Sequence, residues 1–64
     1  MMYYAVYRLT DESGKSHVMT FRVEADTPIE AKQDALNTLH NYDDGRSRNL
    51  LDITEEVDWD LYED

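Results

Sequence analysis

The sequence predicts an α+β fold, a two-layer β-β-α-β domain in which a three-stranded antiparallel sheet carries one helix on one face. Two segments of alternating apolar and polar residues come first, a helical pattern with clear capping residues follows, and a third alternating segment comes last. A third strand running antiparallel beside the first gives the strand order 2-1-3. At 64 residues the chain is expected to form a single domain, residues 1–64.

Residues 2–25 predict a β-hairpin. The stretch "MYYAVYRLT" is rich in aromatic and β-branched residues, and "SHVMTFRVEA" alternates in the same way after the loop "DESGK". Gly14 can supply the positive φ that a short hairpin loop needs. The side chains expected beneath the helix are Tyr3, Ala5, Tyr7 and Leu9 from the first strand, and His17, Met19, Phe21, Val23 and Ala25 from the second.

Residues 28–42 predict the helix. Thr27 suits the N-cap, Pro28 suits the first helical position, and Glu30 completes a capping box by reaching back to the cap amide. Gly45 then interrupts a polar loop. The apolar stripe expected to face the sheet contains Ala31, Ala35, Leu36, Leu39 and Tyr42.

Residues 50–62 predict the third strand, with an interruption near Glu55 or Glu56. One side of the alternation contains Leu51, Ile53, Val57, Trp59 and Leu61, and the other contains Asp52, Thr54, Glu56, Asp58, Asp60 and Tyr62. A helix is the competing interpretation of residues 53–62, but helical spacing does not account for Trp59. The strand is therefore the favoured interpretation.

Charge limits the classes of partner. Fifteen acidic residues against six basic ones give a net charge of −9, which repels phosphate backbones and anionic lipid headgroups. Direct binding to nucleic acid or membrane is therefore not expected. No apolar run reaches the roughly 18 residues of a membrane span, so the chain is expected to be soluble and cytoplasmic.

No catalytic, cofactor-binding or metal-binding residues are expected, and the chain is not predicted to be an enzyme. The absence of cysteine excludes thiol catalysis and thiolate metal sites. His17 and His40 lack the spacing of metal ligands, and Asp43 and Asp44 lack the ladder of a calcium loop.

The acidic residues are unevenly distributed, and seven of the fifteen lie in residues 52–64. Alternate carboxylates on a strand repeat at about 6.6 Å, close to about 6.8 Å for two base-pair rises of a duplex. An outward row of Asp52, Glu56, Asp58 and Asp60 would therefore fit a basic groove built for phosphates. Arg8 and Arg22 are expected on the same open face, where cross-strand pairs with the carboxylates would neutralise part of the row. The predicted partner-binding residues are Asp52, Glu55, Glu56, Asp58, Asp60, Glu63 and Asp64, with Tyr4 and Tyr62 as apolar anchors.

One stretch resembles a known family. Val23, Glu24, Ala25, Thr27, Glu30 and Ala31, in "VEADTPIEAKQDAL", resemble the strand-to-helix junction of small phage and mobile-element proteins of the DpnD/PcfM type. Ribosomal protein LX is similar in element order, with "RSRNLLDI" at its basic turn and last strand, but the acid balance departs from its RNA-binding pattern. The first resemblance implies a mobile-element origin in a bacterial host, where small acidic phage proteins often inhibit nucleic-acid machinery, as anti-CRISPR and DNA-mimic proteins do.

Two functions follow as hypotheses. The preferred one is a non-catalytic inhibitor that occupies the basic surface of a host nucleic-acid-binding or defence protein. The alternative is a homodimeric structural or adaptor domain that pairs through a strand edge or the bare sheet face, with acidity serving only solubility.

Overall fold

The protein is described by a computed structural model that covers residues 1–56, and residues 57–64 lie outside the described part. Four elements follow one another: β1 (Met2–Thr10), β2 (Ser16–Glu24), α1 (Pro28–His40) and β3 (Ser47–Glu55). The strands form one antiparallel sheet in the order β2-β1-β3. The predicted α+β fold and its strand order are confirmed.

The hairpin turn is stabilised by one aspartate. The Asp11 carboxylate accepts hydrogen bonds from the backbone N–H groups of Ser13 (2.9 Å) and Lys15 (3.0 Å) and from the Ser13 hydroxyl (2.6 Å). Gly14 takes a φ of 89°, in the left-handed region that glycine adopts at little steric cost. These bonds hold the Asp11 carboxyl in its charged form and lower its pKa, with the Ser13 hydroxyl as the largest cause.

The helix begins as the capping residues predict. Thr27 has an extended backbone and its hydroxyl accepts a hydrogen bond from Glu30 N–H at 3.2 Å, while Pro28 opens the first turn. The Glu30 carboxylate reaches back to the N–H of Asp26 (3.3 Å), one residue before the cap. The helix ends at His40, two residues earlier than predicted.

The third strand differs from the prediction. It begins at Ser47, three residues earlier than residue 50, and the predicted continuation over residues 57–62 lies outside the described residues. A bulge opposite Val6 and Tyr7 leaves Leu51 as an extra residue. The alternation therefore changes phase, so that Leu50 packs against the core and Leu51 is 44% exposed, the reverse of the predicted arrangement.

The core is small, and besides Leu9 and Leu39, which are also buried, it forms one cluster. Its fully or almost fully buried members are Tyr3, Ala5, Val23, Ala31 and Ala35. Two alanines on the helix meet one on β1, and this lack of side-chain bulk lets the helix lie close to the sheet. Phe21, Ala25, Leu50 and Ile53 pack at the margin.

Within the described residues, α1 is too short and too polar to span a bilayer. The other side of the sheet is not covered by any described element, as expected for a two-layer domain with one helix.

Candidate functional site

The topology gathers carboxylates at one end of the molecule, where β2 ends, α1 begins and β3 ends. We call this the acidic end and define it as residues 1–3, 22–30 and 54–56. Its five acidic side chains are Glu24, Asp26, Glu30, Glu55 and Glu56. Arg22 is the only lysine or arginine among the same residues.

The start of β1 holds this group together. Met2 pairs with Glu24 on one side and accepts a hydrogen bond from the N–H of Glu56 on the other (2.8 Å), while Tyr3 pairs with Glu55. Because adjacent strands lie about 4.8 Å apart, the backbones of Glu24 and Glu56 are separated by only about 10 Å. The carboxylates thus border both sides of one strand end.

One carboxylate of the acidic end is matched by a cation. Arg22 reaches across β1 and donates to both oxygens of Glu56, from Nε at 2.9 Å and from Nη2 at 3.2 Å. Both partners are solvent-accessible, with the Arg22 side chain 54% exposed, so the pair contributes little to stability. Glu24, Asp26, Glu30 and Glu55 have no ion pair with a cation of the described residues.

The carboxylates of the acidic end influence the buried side chain of Tyr3. Tyr3 is 2% exposed, and burial of its phenol raises its pKa. The carboxylates of Glu55, Asp26 and Glu30 raise the pKa further because they disfavour a phenolate beside them. The Tyr3 hydroxyl is therefore neutral and serves as a packing group.

The opposite end of the molecule has no charge excess. We call it the hairpin end and define it as residues 8–15 and 41–48. It carries four acidic side chains, Asp11, Glu12, Asp43 and Asp44, and four basic ones, Arg8, Lys15, Arg46 and Arg48. Its two loops meet where Glu12 approaches Gly45, since a Cβ on this glycine would lie 2.6 Å from Oε1 of Glu12.

A cluster around Arg48 closes the hairpin end. Its guanidinium donates to both carboxylate oxygens of Asp44, each at 2.8 Å, and lies 3.8 Å from the centre of the Tyr42 ring. The Arg48 side chain is only 8% exposed. Hydrogen bonding from Arg48 holds the pKa of Asp44 far below its usual range, and Asp44 in turn raises the pKa of Arg48.

Sequence reasoning missed this cluster. Tyr42 was predicted on the apolar stripe of the helix, but the helix ends before it and its side chain is 53% exposed. Arg48 was assigned to a polar loop, but it is the second residue of β3. The available signal was the spacing of Asp44 and Arg48, four residues apart with Gly45 between them.

The open sheet face is mixed in charge. Tyr4 (36% exposed) and Val18 (63%) are bare there, together with Arg8 and Arg22. Asp52 lies on this face opposite Val6, and its carboxylate accepts hydrogen bonds from the Ile53 N–H (2.9 Å) and the Thr54 hydroxyl (3.2 Å).

The predicted row of carboxylates consists of Asp52, Glu56, Asp58 and Asp60, and only Asp52 and Glu56 belong to the described residues. Asp52 and Glu56 share the open face, but Glu56 is bound to Arg22 and Thr54 stands between them. Glu55 belongs to the other side of β3, because it pairs with Tyr3. The remaining predicted residues lie outside the described residues: Asp58, Asp60, Tyr62, Glu63 and Asp64.

A shallow groove runs between the start of α1 and β3. Its volume is about 370 Å³, and its walls include Ile29, Lys32, Leu50, Leu51 and Ile53. Ile29 is 71% exposed. Among residues 1–56, no three histidine, aspartate or glutamate side chains are grouped to hold a metal ion.

In comparisons with known proteins, no family model, curated protein or solved structure matches the chain.

Proposed function

We propose that this protein is a small, non-catalytic binding module whose acidic end occupies the basic, nucleic-acid-binding surface of another protein. The observation that carries the proposal is the separation of charge along the molecule. Five acids face one arginine at the acidic end, whereas four acids face four cations at the hairpin end. Complementary potentials of this kind steer association and select partners.

The carboxylates of the acidic end are available to a partner. Glu24, Asp26, Glu30 and Glu55 are exposed, and of these only Glu30 accepts a hydrogen bond from a described residue, the N–H of Asp26. Their chemistry suits arginine and lysine side chains that otherwise bind phosphates. In the chain, Asp58 and Asp60 follow Glu56 closely, and residues 57–64 add four acids without a cation.

Apolar contact is proposed to come from the open sheet face. Tyr4 pairs with Arg22 on β2 and Thr54 on β3, which places its ring beside the Arg22–Glu56 ion pair. A tyrosine gives a large, rigid contact with a polar tip. The resemblance to mobile-element proteins supports a role as an inhibitor of a host nucleic-acid-binding or defence protein.

The test compares matched charge reversals at the two ends. Glu24→Lys with Glu55→Lys alters the acidic end, and Glu12→Lys with Asp43→Lys alters the hairpin end by the same net charge. Each variant is used to capture proteins from a bacterial extract at about 0.05 M and about 0.5 M salt. Captured proteins are then tested for displacement of labelled duplex DNA or RNA.

The expected result is specific to one end. The unaltered protein and the hairpin-end variant capture a nucleic-acid-binding protein at low salt and displace its nucleic acid, while the acidic-end variant does neither. Circular dichroism of both variants controls for folding. Equal capture and displacement by the acidic-end variant would contradict the proposal.

A further inference from the structure

The two edges of the sheet are protected to different degrees. β3 carries the bulge at Leu51 and two acidic residues within the strand, Asp52 and Glu55, all features that discourage a further strand from pairing. β2 pairs with β1 without a register shift over all nine residues. Residues 15–23 contain no acid and no proline.

The hydrogen bonds of the hairpin show which backbone groups of β2 have no partner among the described residues. At its two ends, Ala25 N–H donates to Met1 and Asp11 N–H donates to Lys15. Odd-numbered residues of β2 are therefore the ones bonded to β1, because hydrogen-bonded pairs alternate in an antiparallel ladder. The N–H and C=O groups of Val18, Thr20 and Arg22 point to the free edge.

Apolar side chains line this free edge on both sides. Val18 is 63% exposed on the open face, and Met19 is 43% exposed on the helix side. Met19 receives a contact from the Tyr7 hydroxyl (3.8 Å), and Tyr7 packs edge-on against Phe21 with ring centroids 5.7 Å apart. The edge is thus a strand with exposed apolar side chains, bordered by an aromatic pair.

We propose that β2 pairs antiparallel with β2 of a second copy of this chain, with the twofold axis at Thr20. Thr20 is the middle of Ser16–Glu24, so this register uses the whole strand. It sets Val18 opposite the second copy's Arg22 and Ser16 opposite its Glu24. The free backbone groups of the even-numbered residues then bond to one another.

The distribution of charge favours a second copy of this chain as the partner of β2, and it favours antiparallel pairing. Two chains of net charge −9 repel, so they must meet where acids are absent, and residues 15–23 contain Lys15 and Arg22 but no acid. Antiparallel pairing places the two copies of Glu24 about 26 Å apart, well beyond a screening length of about 8 Å. Each acidic end then lies beside the balanced hairpin end of the other copy.

The test uses the same substitution on the two edges. Thr20→Lys places two lysines directly opposite each other across the twofold axis, while Thr54→Lys adds the same charge on the same face at the β3 edge. Sedimentation equilibrium from micromolar to millimolar concentration should show twice the 7.6 kDa of one chain for the unaltered protein and for Thr54→Lys. Thr20→Lys should raise the dissociation constant at least about tenfold.

Amide hydrogen exchange gives a second readout that does not depend on a variant. In a dimer, Val18, Thr20 and Arg22 are protected in a concentration-dependent manner, whereas Met19 and Phe21 are protected at every concentration. A monomer at millimolar concentration would overturn the proposal. So would a dimer weakened by Thr54→Lys and not by Thr20→Lys. Thr20→Lys leaves the acidic end unchanged, so loss of the dimer and loss of partner capture are separate outcomes.

Discussion

The two ends of this molecule are held together by different interactions. The acidic end contributes Tyr3 and Val23 to the core cluster, and most of its carboxylates have no ion pair with a cation of the described residues. The hairpin end is closed by polar contacts, in which Arg48 binds Asp44 and stacks on Tyr42. At the hairpin end, charged side chains pair and hold the loops together. At the acidic end, apolar packing holds the chain, and most carboxylates have no ion pair with a cation of the described residues.

Because of this difference, most carboxylates of the acidic end contribute little to the stability of the fold. A carboxylate with no structural partner can be changed with little effect on folding, since exposed substitutions away from special contacts usually change stability by less than about 0.5 kcal/mol. The acidic end therefore carries its charge at little cost to the fold. At the hairpin end, Asp11, Asp44 and Arg48 lack this freedom, because their charged groups hold its loops.

The largest expected effect tests whether packing of α1 on the sheet stabilises the core cluster next to the acidic end. Ala31 is completely buried between α1 and the sheet, so Ala31→Leu overfills the core and should lower the free energy of unfolding by about 1–3 kcal/mol. Gln33→Leu on the exposed side of the same helix should change it by less than about 0.5 kcal/mol. Urea denaturation measures both, and equal losses would show that packing is not decisive here.

The next effect tests how tightly the loops of the hairpin end fit. Gly14 (φ 89°) and Gly45 (φ 76°) both adopt the left-handed region, so alanine at either should cost about 1–2 kcal/mol. Gly45→Ala should cost no more than Gly14→Ala, because its Cβ would meet only the carboxylate end of the flexible, exposed Glu12 side chain, which can move aside. Thermal denaturation measures both losses, and adding Glu12→Ala to Gly45→Ala should change the result little. A clearly larger loss for Gly45→Ala that Glu12→Ala removes would contradict this expectation.

The smallest effect tests the ion pair of the hairpin end by pH. The pKa of Asp44 is lowered in the folded state from 3.8, so the stability it confers is present above that pH and is lost as pH falls through the folded value. In a double-mutant cycle of Asp44→Asn and Arg48→Met, the coupling should be favourable at pH 7 and shrink steadily below about pH 4. A coupling independent of pH would exclude this carboxylate as its source.

Much of the fold was accessible from the sequence because its signals were local. The capping residues Thr27 and Glu30 fixed the start of the helix, and alternation with Gly14 fixed the hairpin. The phase of β3 was not accessible, because Leu50, Leu51 and Ile53 are all apolar and fit the core in either phase. Only pairing with Tyr7 and Ala5 decides between them.

Only part of the candidate site follows from the sequence, since Glu55 and Glu56 are the only predicted partner-binding residues that belong to the acidic end. The sequence indicated acids along a strand, but the acidic end also draws Glu24, Asp26 and Glu30 from the strand-to-helix junction. Only the topology brings that junction beside the end of β3. The Arg22–Glu56 pair depends on a contact between residues 34 positions apart, which no local pattern encodes.

The bulge at Leu51 also determines on which side of the sheet Arg48 lies. Had β3 kept the pairing of Ile53 with Ala5 throughout, Asn49 would stand opposite Leu9 in place of Arg48. Arg48 would then emerge on the far surface of the sheet, away from Tyr42 and Asp44. The extra residue Leu51 thus determines that Arg48, three positions earlier, lies on the side of the sheet where it contacts Tyr42 and Asp44.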